Sequence, residues 1–228
     1  MVKLYFINPH EVAEQQGIIK DLRDFGIDHT TPFLTSGWNY VIDHVFMAQR
    51  LQNVIKKDSV IMDIGCGNSP FHEYIENRYD VEIIGVDRPE GYSHQKKQKN
   101  VDHSIDFMDM DIQTKSVDVV FWLSSIEHND IEKIKKIYKK SMRILKRGGI
   151  FLATVPIAPE TAWFAPSEQT NLSTEDCQCL FGVDETIGDY EKTRDGYLNN
   201  TLHLLDKAVL RYGSIPDFVI ACIDVVKK

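Results

Sequence analysis

The chain has 228 residues, 43% of them hydrophobic and 26% charged, with a formal net charge of −8 at pH 7. That length suits one α/β domain with a full two-layer core, and the composition excludes a disordered chain. The negative charge disfavours nucleic acid as a partner, and no apolar run approaches the ~20 residues that cross a bilayer.

The opening stretch MVKLYFINPHEVAEQQG lacks the basic and apolar regions of a signal peptide, so the cytoplasm is the expected location. Tyr40, His44, Met47 and Leu51 keep the spacing of a buried helix face. SVIMDIGCG then predicts a buried strand running into a glycine turn, EYIENRY a helix, and VEIIGVD a second buried strand. Lys96, Lys97 and Lys99 form a basic run without interleaved aromatics, which predicts a solvated loop and no nucleic-acid contact.

VDVVFWLSS is a further apolar strand, and IEKIKKIYKKSMRILKRGG an amphipathic helix. Its apolar residues Ile131, Ile134, Ile137, Tyr138, Met142 and Leu145 share a stripe, lysines are expected on the other face, and Gly148 and Gly149 are expected to cap it. IFLATVPI is the next strand. Strands alternating with helices predict a parallel, doubly wound sheet. PIAPETAWFAPSEQTN predicts a long loop or lid, Leu198, Leu202, Leu205 and Val209 keep helical spacing, and DFVIACIDVVKK closes the chain as a strand. Of the cysteines at 66, 177, 179 and 222, only Cys177 and Cys179 are close, and nothing completes a zinc set. Reduced thiols and no metal are expected.

In VIMDIGCGN, Asp63 lies near the strand end and Gly65 and Gly67 make the turn, at the sheet edge where open α/β proteins bind ligands. Asp87, twenty residues after Gly67, can accept from both hydroxyls of a ribose. A nicotinamide fingerprint would need G-x-G-x-x-G, and Pro70 stands where its third glycine belongs. That argues against a pyrophosphate ligand.

These residues resemble the class I S-adenosylmethionine-dependent methyltransferases. The resemblance runs over about residues 58–156 through four blocks: VIMDIGCGNSPF, IIGVD, DFMDMDIQTKSVDVVFWLSSIEH, and the helix ending in LKRGGIFLATVP. It implies a single domain, with an N-terminal helical cap over 1–57, a cofactor-binding core over 58–156, and an acceptor-side lid with closing strands over 157–228. It also implies a Rossmann-like, doubly wound, mostly parallel seven-stranded sheet with helices on both faces, with S-adenosylmethionine as cofactor and S-adenosylhomocysteine as product.

By the same resemblance Asp63 orients the turn and the methionine amino group, and Gly65, Cys66 and Gly67 pass beneath methionine and ribose. Asp87 holds the ribose hydroxyls and Arg88 flanks the adenosine. Asp106 accepts from the adenine amino group, Phe107 packs beside the ring, and Leu123 and Ser124 close the far side. Asp109 and Asp111 are alternatives to Asp106, read as solvated carboxylates.

Methyl transfer from a sulfonium is a direct displacement that depends on alignment, and an oxygen or nitrogen acceptor also loses a proton. His128, in SSIEHND, is the candidate base, with a structural Glu127–His128 pair as the alternative. Some ubiquinone-pathway O-methyltransferases resemble the E-H segment and hold a divalent ion beside it. Ser124 stands here where that reading wants a carboxylate.

Trp38, Tyr40, Trp163, Phe164 and Glu168 are candidate acceptor-side residues, or aromatics that pin a lid. L-S-S-I after the fourth strand, in place of an N-P-P-Y-like tetrapeptide, argues against methylation of nucleic-acid bases or glutamine side chains. The expected function is O-methylation of a small metabolite or glycan precursor, the nucleophile resting on family analogy. The alternative is a methyltransferase-fold scaffold or sensor without turnover. Oligomeric state is left open.

Overall fold

The fold was analysed in a computed structural model, which describes residues 1–27, 40–67, 70–87, 101–102, 105–164, 169–198 and 219–228. Its parallel half begins with β2 (Val60–Ile64), α4 (Phe71–Tyr79), β3 (Glu82–Val86) and the short β4 (Val101–Asp102). The chain then returns to β5 (Val117–Trp122), α5 (Ile131–Ile144) and β6 (Leu145–Ile157). Strand order β4-β3-β2-β5-β6, with every neighbouring pair parallel, puts the reversal of direction between β2 and β5. Because crossovers are right-handed, winding outward from β2 and back from β5 sends α4 and α5 to opposite faces.

Ring contacts mark the two layers. On one face His44 of α3 (Tyr40–Leu51) stacks on Phe71, whose edge meets Phe121 of the sheet. On the other, Tyr138 of α5 meets Phe151 of β6 and Phe181 of α6 (Thr174–Phe181). Local chemistry explains where the helices start. Asn8 caps α1 (Pro9–Ala13), Asp130 caps α5 through Lys133 N, and Ser173 caps α6 through Asp176 N, each satisfying an N–H that lacks a helical partner.

Beyond β6 the sheet continues with β10 (Val219–Val226), β1 (Val2–Phe6) and β9 (Glu185–Ile187). Only β10 runs against the rest: it is antiparallel to both β6 and β1, and β9 is parallel to β1. The sheet is thus mostly parallel and doubly wound, as expected, with eight strands among the described residues rather than seven. The extra one is the three-residue edge β9. The buried face of α3 continues through Arg50, whose guanidinium pairs with buried Asp224 of β10 and lies 5.3 Å from the centre of the Tyr5 ring. α2 (Gln16–Asp24) packs on α3, and α7 (Tyr190–Leu198) on β10.

Four expectations are corrected. The N-terminal segment is not wholly a helical cap, because β1 registers five residues against β10 inside the sheet. The glycines do not cap α5: the helix ends at Ile144 with Leu145 already extended, and Gly148, at φ +79°, lies in an irregular start of β6. There Gly149 leaves no room for a side chain, since a Cβ would stand 2.9 Å from Lys146 O and 3.0 Å from Asp118 O. The long loop after Pro156 contains an antiparallel pair, β7 (Ala162–Phe164) with β8 (Gln169–Asn171). Finally, Lys140 is buried rather than on the lysine-covered face. The basic run at 96–99 and the helical spacing at 202–209 lie outside the described residues.

Candidate functional site

Parallel register alone gathers the carboxyl ends of β2, β3 and β5: Asp63 stands beside Gly85 and Phe121, and Ile64 beside Val86. Past Ile64 the chain turns sharply. Gly65 and Gly67 take φ +66° and +52°, a region that strains any residue with a Cβ. Gly65 N donates to Val86 O at 2.7 Å, and Gly67 N to a carboxylate oxygen of Asp87 at 2.7 Å. The turn is therefore stitched to the end of β3, and Asp87 is oriented by it.

Gly65 is also forced by contact. A Cβ there would stand 2.2 Å from Ser125 Oγ and 2.7 Å from Ser125 Cβ. Ser125 Oγ in turn donates to Ile64 O at 3.3 Å, so the segment after β5 is packed onto the glycine turn. Cys66 is buried, and burial pushes its thiol up, so it packs as an apolar group.

Asp63 is buried, and its Oδ2 stands 3.5 Å from Nδ1 of fully buried His72 on α4. Burial raises the Asp63 carboxyl; burial acts to lower the His72 imidazole, but Asp63 beside it prevails and raises it. The partner of Asp63 within the chain is thus a histidine behind the turn.

Just past β5, Leu123 and Ser124 are half-buried. Ser124 sits at φ +47°, uncommon for a residue with a side chain. Its N–H donates to Thr154 Oγ1 at 3.0 Å and its hydroxyl to Asp43 Oδ2 of α3. A 3-10 turn, Ile126–His128, follows, with Glu127 only 2% exposed and its Oε2 without a hydrogen-bond partner among the described residues. Burial, with the Asp43 carboxylate adding to it, pushes the Glu127 carboxyl up to about 8. His128 is exposed, its Nε2 3.9 Å from Glu127 Oε1.

Asp106 and Phe107 lie in a loop braced by α5. Asp106 accepts from Met108 N at 2.9 Å and pairs with Lys133 at 2.6 Å; Phe107 is buried. Asp109 and Asp111 are exposed. Trp163, on β7, is 59% exposed. Tyr40 opens α3, its side chain outside the described set, as are Trp38, Arg88 and Glu168 altogether.

A family described as "Methyltransferase domain" matches residues 62–153, from the strand before the glycine turn to the middle of β6. That stretch is a methyltransferase domain. It is 27% identical over 115 residues to a sterol 24-C-methyltransferase of Candida albicans, a match covering 46% of this chain and 30% of that protein. The matched part is thus under a third of the curated relative's length. Among solved structures, a Haemonchus contortus phosphoethanolamine N-methyltransferase 2, bound to phosphomonomethylethanolamine and S-adenosylhomocysteine, superposes with TM-score 0.59 at 17% identity. That likeness covers 84% of this chain and 53% of the other. The [4+2]-cyclase SpnF superposes with TM-score 0.57 at 15% identity over 96% of this chain and 97% of the cyclase. At such identities the structures speak for a shared fold.

The residues present suit S-adenosylmethionine. The Asp87 carboxylate, held at the end of β3 by the glycine turn, is the kind of acceptor a ribose diol calls for. The first turn of α4 opens on Pro70, which has no N–H to offer a pyrophosphate. A phosphate-free cofactor fits that helix start. Among the described residues, no group of three or more His, Cys, Asp or Glu could hold a metal ion, and no helix is long and apolar enough to cross a membrane.

Sequence reading missed Asp43, Thr154, His72 and, on α5, Lys133 and Lys140. Two signals were available. Asp43 precedes His44 inside a buried helical stripe, and Lys140 stands three residues after Ile137 and four before Ile144, both buried.

Proposed function

We propose that this protein is a methyltransferase that passes the methyl group of S-adenosylmethionine to a small-molecule acceptor held at the carboxyl edge of β5. The observation that carries the reading is the Gly65–Gly67 turn bonded to Asp87 at the switch between β2 and β5. In this reading Asp63, Gly65, Cys66 and Gly67 cradle the methionine and ribose side. Asp87 and Arg88 hold the ribose and flank the adenosine, Asp106 and Phe107 receive the adenine, and Leu123 and Ser124 close the pocket. The bound cofactor supplies an electrophilic methyl carbon; the chain aligns the acceptor and handles its proton.

An oxygen nucleophile, on a metabolite or glycan precursor, is the finer form of the proposal. A hydroxyl sheds its proton as the new bond forms, and exposed His128, with Glu127 beside it, is the proposed acceptor of that proton. Trp38, Tyr40, Trp163 and Glu168 are the proposed acceptor contacts. A sterol and a phosphoethanolamine, named for the similar proteins, are likewise small molecules. The single-domain division at 57 and 156, and a cytoplasmic location suited to four free cysteines, belong to the same proposal.

The test is calorimetric titration with S-adenosylhomocysteine, followed by an acceptor screen with labelled methyl donor. Micromolar binding by the wild type, lost in Asp87→Ala and partly kept in Asp87→Asn, is the expected result; no binding by the wild type sinks the reading. One observation favours a second possibility, a fold retained without methyl transfer: the cyclase matches this chain over almost its whole length. Cofactor binding without turnover on any acceptor would move that possibility to first place.

A further inference from the structure

α5 grips the loop at 106–110 with two lysines placed seven residues, about two turns, apart. Lys140, 8% exposed, donates to Phe107 O at 2.5 Å, Met108 O at 3.0 Å and Met110 O at 2.6 Å. An ammonium has three protons, and here each meets a backbone carbonyl. The same nitrogen lies 4.9 Å from the centre of the Phe107 ring.

Peptide planarity makes this grip directional. With the carbonyls of 107 and 108 turned to the lysine, the N–H groups of Met108 and Asp109 point the opposite way. Both close on Asp106, Met108 N on its carboxylate at 2.9 Å and Asp109 N on its carbonyl at 2.8 Å. Lys133, the other lysine, pairs with the second carboxylate oxygen at 2.6 Å.

We infer that Lys133 and Lys140 are positioning residues for cofactor recognition: Lys140 sets the backbone turn that aims Asp106, and Lys133 holds its carboxylate at the adenine amino group. This rests on the reading that Asp106 receives the adenine. Burial lowers the Lys140 ammonium from its ordinary value. The three carbonyls retain the charge that a lone buried amine would shed.

The experiment compares binding of S-adenosylhomocysteine with its deaminated form, S-inosylhomocysteine, which has no amino group to donate. The wild type is expected to prefer the adenine compound at least tenfold. Equal binding by the wild type removes Asp106 as adenine acceptor, and this inference with it. If the wild type discriminates, Lys133→Met and Lys140→Met are each expected to weaken S-adenosylhomocysteine at least tenfold and to bring the preference below threefold, with Lys133→Arg restoring it. Variants that weaken both compounds equally, or leave the preference intact, overturn the positioning role while the cofactor reading stands. Should Lys140→Met fail to fold, the partly exposed Lys133→Met decides alone.

Discussion

Gly65 is where backbone geometry and packing make the same demand. A Cβ there meets both the left-handed φ and the Ser125 side chain. Gly65→Ala is expected to destabilise the protein by about 2 kcal/mol or more and to abolish S-adenosylhomocysteine binding. Gly65→Ala with Ser125→Gly should recover part of the stability; no recovery in thermal unfolding would mean the clash is not what matters.

Glu127 makes a second residue-scale prediction. Its carboxyl is raised from 4.5 to about 8 in the fold, so between those values the folded state holds a proton that the unfolded state has released. Stability therefore falls as pH rises through that window, by about 1.4 kcal/mol per unit from this group at most. Glu127→Gln should flatten the dependence of the unfolding temperature on pH between 5 and 8 and gain most at pH 8. His128→Ala, in contrast, is expected to cut turnover more than tenfold while cofactor affinity stays within twofold. Equal losses in both would make the exposed imidazole a structural group.

At the scale of elements, β1 carries the largest departure from expectation. VKLYF is too short and too mixed in burial for its own pattern to reveal a partner, and its partner lies at the other end of the chain. β10, by contrast, reads as a strand because seven of its eight residues are buried. Removing residues 1–7 would leave a long apolar strand with one unpaired edge. The truncated protein is expected to aggregate on gel filtration and to lose its cooperative melt. A monodisperse, folded product would return β1 to the status of a cap. The end of α5 was misread for a similar reason: Gly148 and Gly149 suit a helix C-terminus in sequence, yet β6 needs Leu145 opposite Val117 of β5, so the helix stops sooner.

For the whole molecule, cofactor binding and stability are linked. A ligand that binds only the folded state at about 100 times its dissociation constant adds about 2.7 kcal/mol. For a chain of this size that is about 5–10 °C in unfolding temperature. S-adenosylhomocysteine is expected to give a shift of that order in differential scanning fluorimetry, and Asp87→Ala to show almost none. An equal shift in the variant would place the ligand elsewhere.

Period and punctuation in one stretch of chain determined the parallel core: largely apolar runs of five or six residues, a glycine turn after the first, and an acidic residue after the second. These are local signals, since a buried strand is apolar throughout and a turn at positive φ selects glycine whatever surrounds it. The tertiary structure alone decided which distant groups meet there. Asp43 from α3 reaches Ser124, His72 from α4 reaches Asp63, Lys140 from α5 reaches the carbonyls after Phe107, and β1 lies beside β10. A buried charge and a pairing strand have the same composition whichever partner they find. What selects the partner is the three-dimensional path of the chain between them, and no single stretch of sequence carries that.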